Sequence, residues 1–357
     1  MALWQCEPLF IPRDIRFRLR NIRLRTCVAK VVYVTWANIN TSNRMNTAAQ
    51  MIHYPFEKGI NPEINFLREW AGLCIQWQYT CLSAADRKVA LETNYGNVAA
   101  YYYPTASFKK VLPICRWMIY VGCYDDTFGT RSRNVLERVN ARVNQVYRGE
   151  RALSSDTGLE GEFLWQVERI MKEFRPFSST EWEQRFAANN KLFLDALVTA
   201  TDYNYREKVR YPSLEEYLAI RQNIVAVYPC TNMAEIVADF ILPPEVEQHP
   251  VIKRINQLTT LLMAFCNDFF SVERERRDHE AMNLILVIEH ERNCSFTDAC
   301  AAAASIHDRF VSEFQKLRSD LPDFGELNAS LERYISTLEL MIHGNLLWHL
   351  GTTRHRV

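Results

Sequence analysis

From about Asn61 onward, apolar residues recur every three to four positions, the period of helices that pack along one face. Pro62 can open the first such helix, which runs through Phe66, Trp70, Leu73 and Trp77. The stretch Pro104–Tyr124 carries Phe108, Val111, Leu112, Cys115, Trp117, Met118 and Val121, enough for a buried face and more. Further helices are predicted at 134–148, 159–174 and 181–203. Pro212 opens another through Tyr217 and Arg221, and 251–277, 281–292, 297–317 and 327–350 complete the set. Strand-type runs with turn punctuation are nearly absent, and no repeat or low-complexity linker interrupts the pattern. These features predict an all-α fold occupying one domain over 51–357.

Residues 1–50 read differently. Ile15, Phe17 and Leu19 alternate with Arg16, Arg18 and Arg20, a period of two. Arg13 to Lys30 is strongly basic, with Asp14 its one acid. We read this part as a partly basic N-terminal extension, either solvated or laid over an anionic site.

Composition narrows the function classes. Gly is low at 11 and Pro modest at 13 in 357 residues, which disfavours a β-rich or disordered chain. Formal net charge is zero, so nothing points to nucleic acid or an anionic membrane surface as partner. Hydrophobic residues make up 48%, yet no apolar run approaches the roughly 20 residues of a membrane span. The apolar surplus is assigned to a core and an apolar cavity. Ten Cys occur without a C-x-x-C pair, which argues against a zinc ribbon and for reduced thiols in the cytoplasm. The first ten residues lack the basic-then-apolar order of a secretory signal. A homodimer is compatible with all of this.

Two polar constellations break the apolar pattern. Asn267, Ser271 and Glu275 stand at i, i+4 and i+8. On a helix each such step advances about 400°, so the three drift only about 40° per step and share a face. All three offer oxygen, two of them neutral, a donor set suited to Mg²⁺ that a phosphate also holds. Asp125 and Asp126 end an apolar helix, where carboxylates oppose the helix dipole and a divalent cation would compensate. Arg221 and Arg354 are taken singly as surface cations; they gain meaning only in company.

In combination these segments resemble class I terpene synthases (terpene cyclases) of the microbial, single-domain type. Pro55-Phe56, Asn61-Pro62 and Trp70-Ala71 are similar to the family's opening segment. Tyr103-Pro104, Trp117 and Asp125-Asp126 are similar to the approach to its aspartate-rich motif. Pro212, Glu216-Tyr217-Leu218 and Arg221 resemble the segment carrying the diphosphate-sensing arginine. Asn267-Asp268, Ser271 and Arg274-Glu275 match N-D-x-x-S-x-x-K-E with Arg for Lys, and Asn283-Leu284 follows. Trp348, Thr352 and Arg354-His355 resemble the closing segment, with His355 replacing Tyr. One departure lies after the aspartate pair, where Phe128, Gly129 and Thr130 stand in place of a further acid.

The resemblance implies a single-domain class I terpenoid synthase fold, an antiparallel helical bundle around an apolar active-site cavity. It implies metal-triggered ionisation of a linear allylic prenyl diphosphate, farnesyl diphosphate ahead of geranylgeranyl diphosphate, followed by cyclisation. Three Mg²⁺ ions are expected, Mn²⁺ being admissible: Asp125 with Asp126 on one side, Asn267, Ser271 and Glu275 on the other. Arg221, Arg274, Arg354 and His355 would hold the diphosphate. By position, Trp117, Val121, Met263 and Trp348 are the cavity candidates. The alternatives are a chain-elongating prenyl diphosphate synthase, which uses two aspartate-rich motifs, and an inactive helical diphosphate-binding protein.

Overall fold

The computed structural model describes residues 48–357 except 151–156, 204–208, 353 and 355–357. The basic segment Arg13–Lys30 and His355 therefore lie outside the described residues. Among the described residues there is no strand, and the helices follow in chain order. They are α1 Ile64–Gln78, α2 Ala84–Thr93, α3 Tyr95–Tyr102, α4 Phe108–Phe128, α5 Arg133–Tyr147, α6 Gly158–Phe174 and α7 Thr180–Ala200. Then come α8 Leu214–Ile224, α9 Tyr228–Val237, α10 Pro244–Glu247, α11 Pro250–Arg277, α12 Leu284–Arg292, α13 Phe296–Ser319 and α14 Asn328–Gly351.

Local chemistry explains the boundaries. Ser213 caps α8 by accepting the Glu216 N–H, while Glu216 accepts the Ser213 N–H, a reciprocal capping box. Asn283 caps α12 through the N–H groups of Ile285 and Leu286, so this helix begins at Leu284 rather than at 281. Asn94, at φ 56, breaks the chain between α2 and α3 in the left-handed conformation that Asn tolerates. α2, α3 and α9 were not anticipated from the sequence.

The described residues belong to one compact unit, Met45–Val357. Within it α11 packs against α8, α12, α13 and α14, while α4 packs against α3, α6 and α1. α3 is clamped between α1 and α14. The α3–α14 approach is closer than a side chain allows: a Cβ on Gly344 would stand 2.0 Å from the Tyr101 carbonyl oxygen. No described helix is long and apolar enough to cross a membrane. The eight described cysteines are free thiols.

Candidate active site

The aspartate pair is aimed by aromatic packing on the other side of its helix. Tyr124 and Phe128 pack edge-on against Phe163 of α6, with ring centroids 5.6 and 5.2 Å away. The Tyr124 hydroxyl also donates to Asn140 Oδ1 at 2.5 Å. With that face of α4 pinned, Asp125 and Asp126 are turned away from it. Asp125 is exposed, and its carboxylate has no hydrogen-bond partner among the described residues. Enough protein nevertheless surrounds it that burial, then Asp126, push its carboxyl up to about 6, against the pull of Arg354, Arg274 and Arg221. Three guanidinium groups from three separate segments act on it.

Asp126 is committed differently. Arg354 Nη2 donates to its Oδ1 at 2.6 Å and Nη1 to its Oδ2 at 3.1 Å. This bidentate pair is largely shielded from water. The same Nη1 donates to Thr93 Oγ1 at 2.9 Å.

On α11 the Asn267–Ser271–Glu275 stripe is set by a buried acid beside it. Asp268, 0% exposed, accepts from Arg221 Nη2, from the Tyr217 hydroxyl at 2.5 Å and from the Leu284 N–H at 2.7 Å. Burial pushes its carboxyl up, and these donors with Arg221 pull it back. Arg221 Nη2 also reaches Asn267 Oδ1 at 2.7 Å. Glu275 accepts from Arg274 Nη2 at 3.1 Å and from Asn283 Nδ2 at 2.8 Å. The Ser271 hydroxyl donates to the Asn267 carbonyl at 2.8 Å and keeps its lone pairs. Glu280 joins the group: burial and Glu275 push its carboxyl up, and it acts on Asp125 as well. Arg221 Nε and Arg274 Nε are buried without a partner.

The donors fit a hard cation and an anion together. Every free acceptor is oxygen, as Mg²⁺ requires. The two orphaned arginine N–H groups, costly to leave unmet, fit a phosphate oxygen.

The four cavity candidates separate. Val121 is half-buried beside Gly122 on α4, and Trp348 is 9% exposed at the end of α14. Trp117 goes elsewhere: its indole donates to Asn190 Oδ1 at 3.0 Å and its ring packs on Phe186, inside the aromatic core between α4 and α7. Met263 is 1% exposed, with its carbonyl bonded to Asn345 of α14 at 3.1 Å. A half-buried residue was overlooked: Phe270, three after Asn267 and four before Arg274, stacks on His349 at 5.0 Å. Helical spacing alone would have found it. A surface hollow of about 400 Å³ beside α9 contains none of these residues, and its buried Glu235 is satisfied by Arg185, Asn232 and the Leu242 N–H.

Comparison with known proteins identifies the family of the chain. Residues 116–313 match the family described as terpene synthase family 2, C-terminal metal binding. A 10-epi-cubebol synthase of Sorangium cellulosum is 26% identical over 79% of this chain and 90% of its own. A (+)-T-muurolol synthase of Roseiflexus castenholzii, described as (2E,6E)-farnesyl diphosphate cyclizing, is 25% identical over 85% of this chain and 92% of its own. Among solved structures, an α-eudesmol synthase superposes with TM-score 0.74 at 22% identity, covering 84% of this chain and 98% of that one. A germacradien-4-ol synthase from Streptomyces citricolor gives 0.71 at 21%, with the same coverage.

Proposed function

The chain belongs to terpene synthase family 2 and is a class I terpene cyclase, and from that premise we propose that it ionises farnesyl diphosphate and cyclises the resulting C15 chain. One observation carries this reading. Among the described residues the Asp125 carboxylate accepts no hydrogen bond and Arg221 and Arg274 each bury an unpaired Nε, while both guanidinium groups act on Asp125. Idle cation-binding and anion-binding groups at one place suit a metal diphosphate.

In the proposed complex Asp125 would hold two Mg²⁺ ions, and Asn267, Ser271 and Glu275 would hold a third, with Mn²⁺ an admissible substitute. Magnesium, when bound, draws charge from the leaving diphosphate as a Lewis acid. Arg221, Arg274 and Arg354 grip the phosphate oxygens, each donor aimed at developing charge contributing on the order of 3 kcal/mol. Asp126, with both oxygens taken by Arg354, acts as that arginine's anchor. Asp268, Tyr217 and Asn283 keep Arg221 and Glu275 oriented. Val121, Phe270 and Trp348 supply the apolar wall that keeps water from the allylic cation, and an aromatic face there contributes about 2 kcal/mol when desolvated. Six buried free thiols among the described residues suit the cytoplasm as location.

The test is incubation of the purified protein with geranyl, farnesyl and geranylgeranyl diphosphate in Mg²⁺, with products identified by mass spectrometry. Cyclic C15 hydrocarbons or alcohols from farnesyl diphosphate are expected. Products from the C20 substrate alone, or chain extension with an isoprenyl donor, would overturn the proposal.

A further inference from the structure

We propose that the junction between α2 and α3 is the seat of the C-terminal arginine, with Thr93 as the residue that positions Arg354. The inference rests on the reading of Arg354 as a diphosphate ligand and adds how that side chain is held still. α2 ends at Thr93, and Asn94 turns the backbone left-handed before α3 starts at Tyr95. At this reversal Thr93 meets the C-terminal segment twice. Its carbonyl accepts the Trp348 indole N–H at 3.4 Å, and its Oγ1 accepts Arg354 Nη1 at 2.9 Å.

The hydroxyl is oriented for that task. Its own hydrogen is donated to the Val89 carbonyl at 2.8 Å, so only lone pairs remain to face the guanidinium. Thr93 is 2% exposed, so water does not compete for that place. Arg354 is then fixed from two helices, by Asp126 on α4 and by Thr93 on α2. A carboxylate alone sets the plane of the guanidinium but lets it swing with the carboxylate's own torsions. A second acceptor on another helix removes that swing. Being neutral, Thr93 does so without cancelling the positive charge that a phosphate needs. Thr352 Oγ1 accepts the Arg354 N–H at 3.2 Å and fixes the backbone of the same residue. The tie sits on the charged group itself.

The seat is buttressed on α4. The Tyr95 ring lies so close to Gly122 that a Cβ there would be 2.2 Å from its hydroxyl oxygen. That hydroxyl is buried close to Thr93 and within the field of Arg354, while its ring packs on α4.

The experiment compares Thr93→Val, nearly the same shape without the acceptor, with Thr93→Ser, which keeps it. Each is measured for melting temperature, for affinity toward inorganic diphosphate in Mg²⁺ by calorimetry, and for kcat and KM with farnesyl diphosphate. Thr93→Val is expected to weaken diphosphate binding on the order of tenfold and to raise KM by a similar factor, as loss of a hydrogen bond to a charged group would. Thr93→Ser should stay near wild type. In an Arg354→Ala background Thr93→Val should add nothing, whatever it does to melting. Unchanged diphosphate affinity in Thr93→Val, a Ser variant as weak as the Val one, or a full additional loss in the Arg354→Ala background overturns the inference. A wild-type protein that binds no diphosphate in Mg²⁺ instead overturns the underlying role of Arg354.

Discussion

Asp268→Asn is expected to destabilise the protein by about 3–5 kcal/mol, because it leaves the Arg221 guanidinium without its counter-charge in a dry interior. The side chains are 0% exposed for Asp268 and 10% for Arg221, so solvent can do little to replace the lost partner. The substitution preserves volume, so no cavity term enters. It also presents an amide N–H₂ where Asp268 Oδ2 now accepts from the Tyr217 hydroxyl and the Leu284 N–H. Two donors would then face a donor, which adds to the loss. Urea denaturation followed by circular dichroism measures the change. Arg221→Met should be nearly as costly alone, and the double variant less costly than the sum, since removing both charges removes the mismatch. A loss below about 1 kcal/mol for Asp268→Asn, or strict additivity in the double variant, would refute the view that Asp268 is the fixed counter-ion of Arg221. A loss of stability together with weaker diphosphate binding is expected, because Arg221 reaches Asn267 through the same Nη2 that Asp268 holds.

Two other perturbations follow from the packing. Gly122→Ala should cost about 1–3 kcal/mol by overpacking, since the nearest atoms, 2.2 to 2.4 Å from the added carbon, belong to the rigid Tyr95 ring; the loss should shrink in combination with Tyr95→Ala, and melting temperatures of the four proteins check it. His307 is buried with Nε2 unpartnered, and burial lowers its pKa below the ordinary histidine value, only partly offset by Asp308. Its contribution is therefore present above about pH 6.5 and lost as pH falls, so melting temperature should drop on acidification and less steeply in His307→Gln; equal slopes would show the histidine to be irrelevant.

How much of this was legible depended on where the partners lie in the chain. Asn267, Ser271 and Glu275 sit on one helix, so spacing alone put them on one face, and the long amphipathic helix α13 showed its period plainly. α2 buries only Ala90 and Thr93, too few for a stripe. α3 and α9 fail for the opposite reason: nearly every residue of each is buried, so no polar face marks the period. Trp117 could not be assigned from its helix, because the acceptor that draws it into the core, Asn190, is 73 positions away. Asp126 and Thr93 meet Arg354 across 228 and 261 positions, and nothing near either residue announces it. Asp268 was visible as part of an Asn-Asp pair, but its task as an anchor needed the Arg221 and Leu284 contacts.

The charges gathered at the site argue that diphosphate cannot enter by itself. Asp125, Asp126, Asp268, Glu275 and Glu280 act on one another and on Arg221, Arg274 and Arg354. Five carboxylates against three guanidinium groups leave the ionised cluster negative; burial first, then neighbouring carboxylates, push the Asp125 and Glu280 carboxyls up. A diphosphate would add to the same sign; at an effective dielectric of about 20, each like-charge pair 5 Å apart costs roughly 3 kcal/mol. Two or more divalent cations reverse the balance, so metal and diphosphate should bind only together. Calorimetry with inorganic diphosphate is expected to give no saturable heat in chelator and a saturable isotherm in Mg²⁺. Glu275→Gln should weaken that isotherm, because it removes a charge from the Asn267–Ser271–Glu275 set while keeping an oxygen in place. Tight diphosphate binding in chelator would mean that the three arginines suffice and the carboxylates do not govern entry; unchanged affinity in Glu275→Gln would remove α11 from the metal assignment.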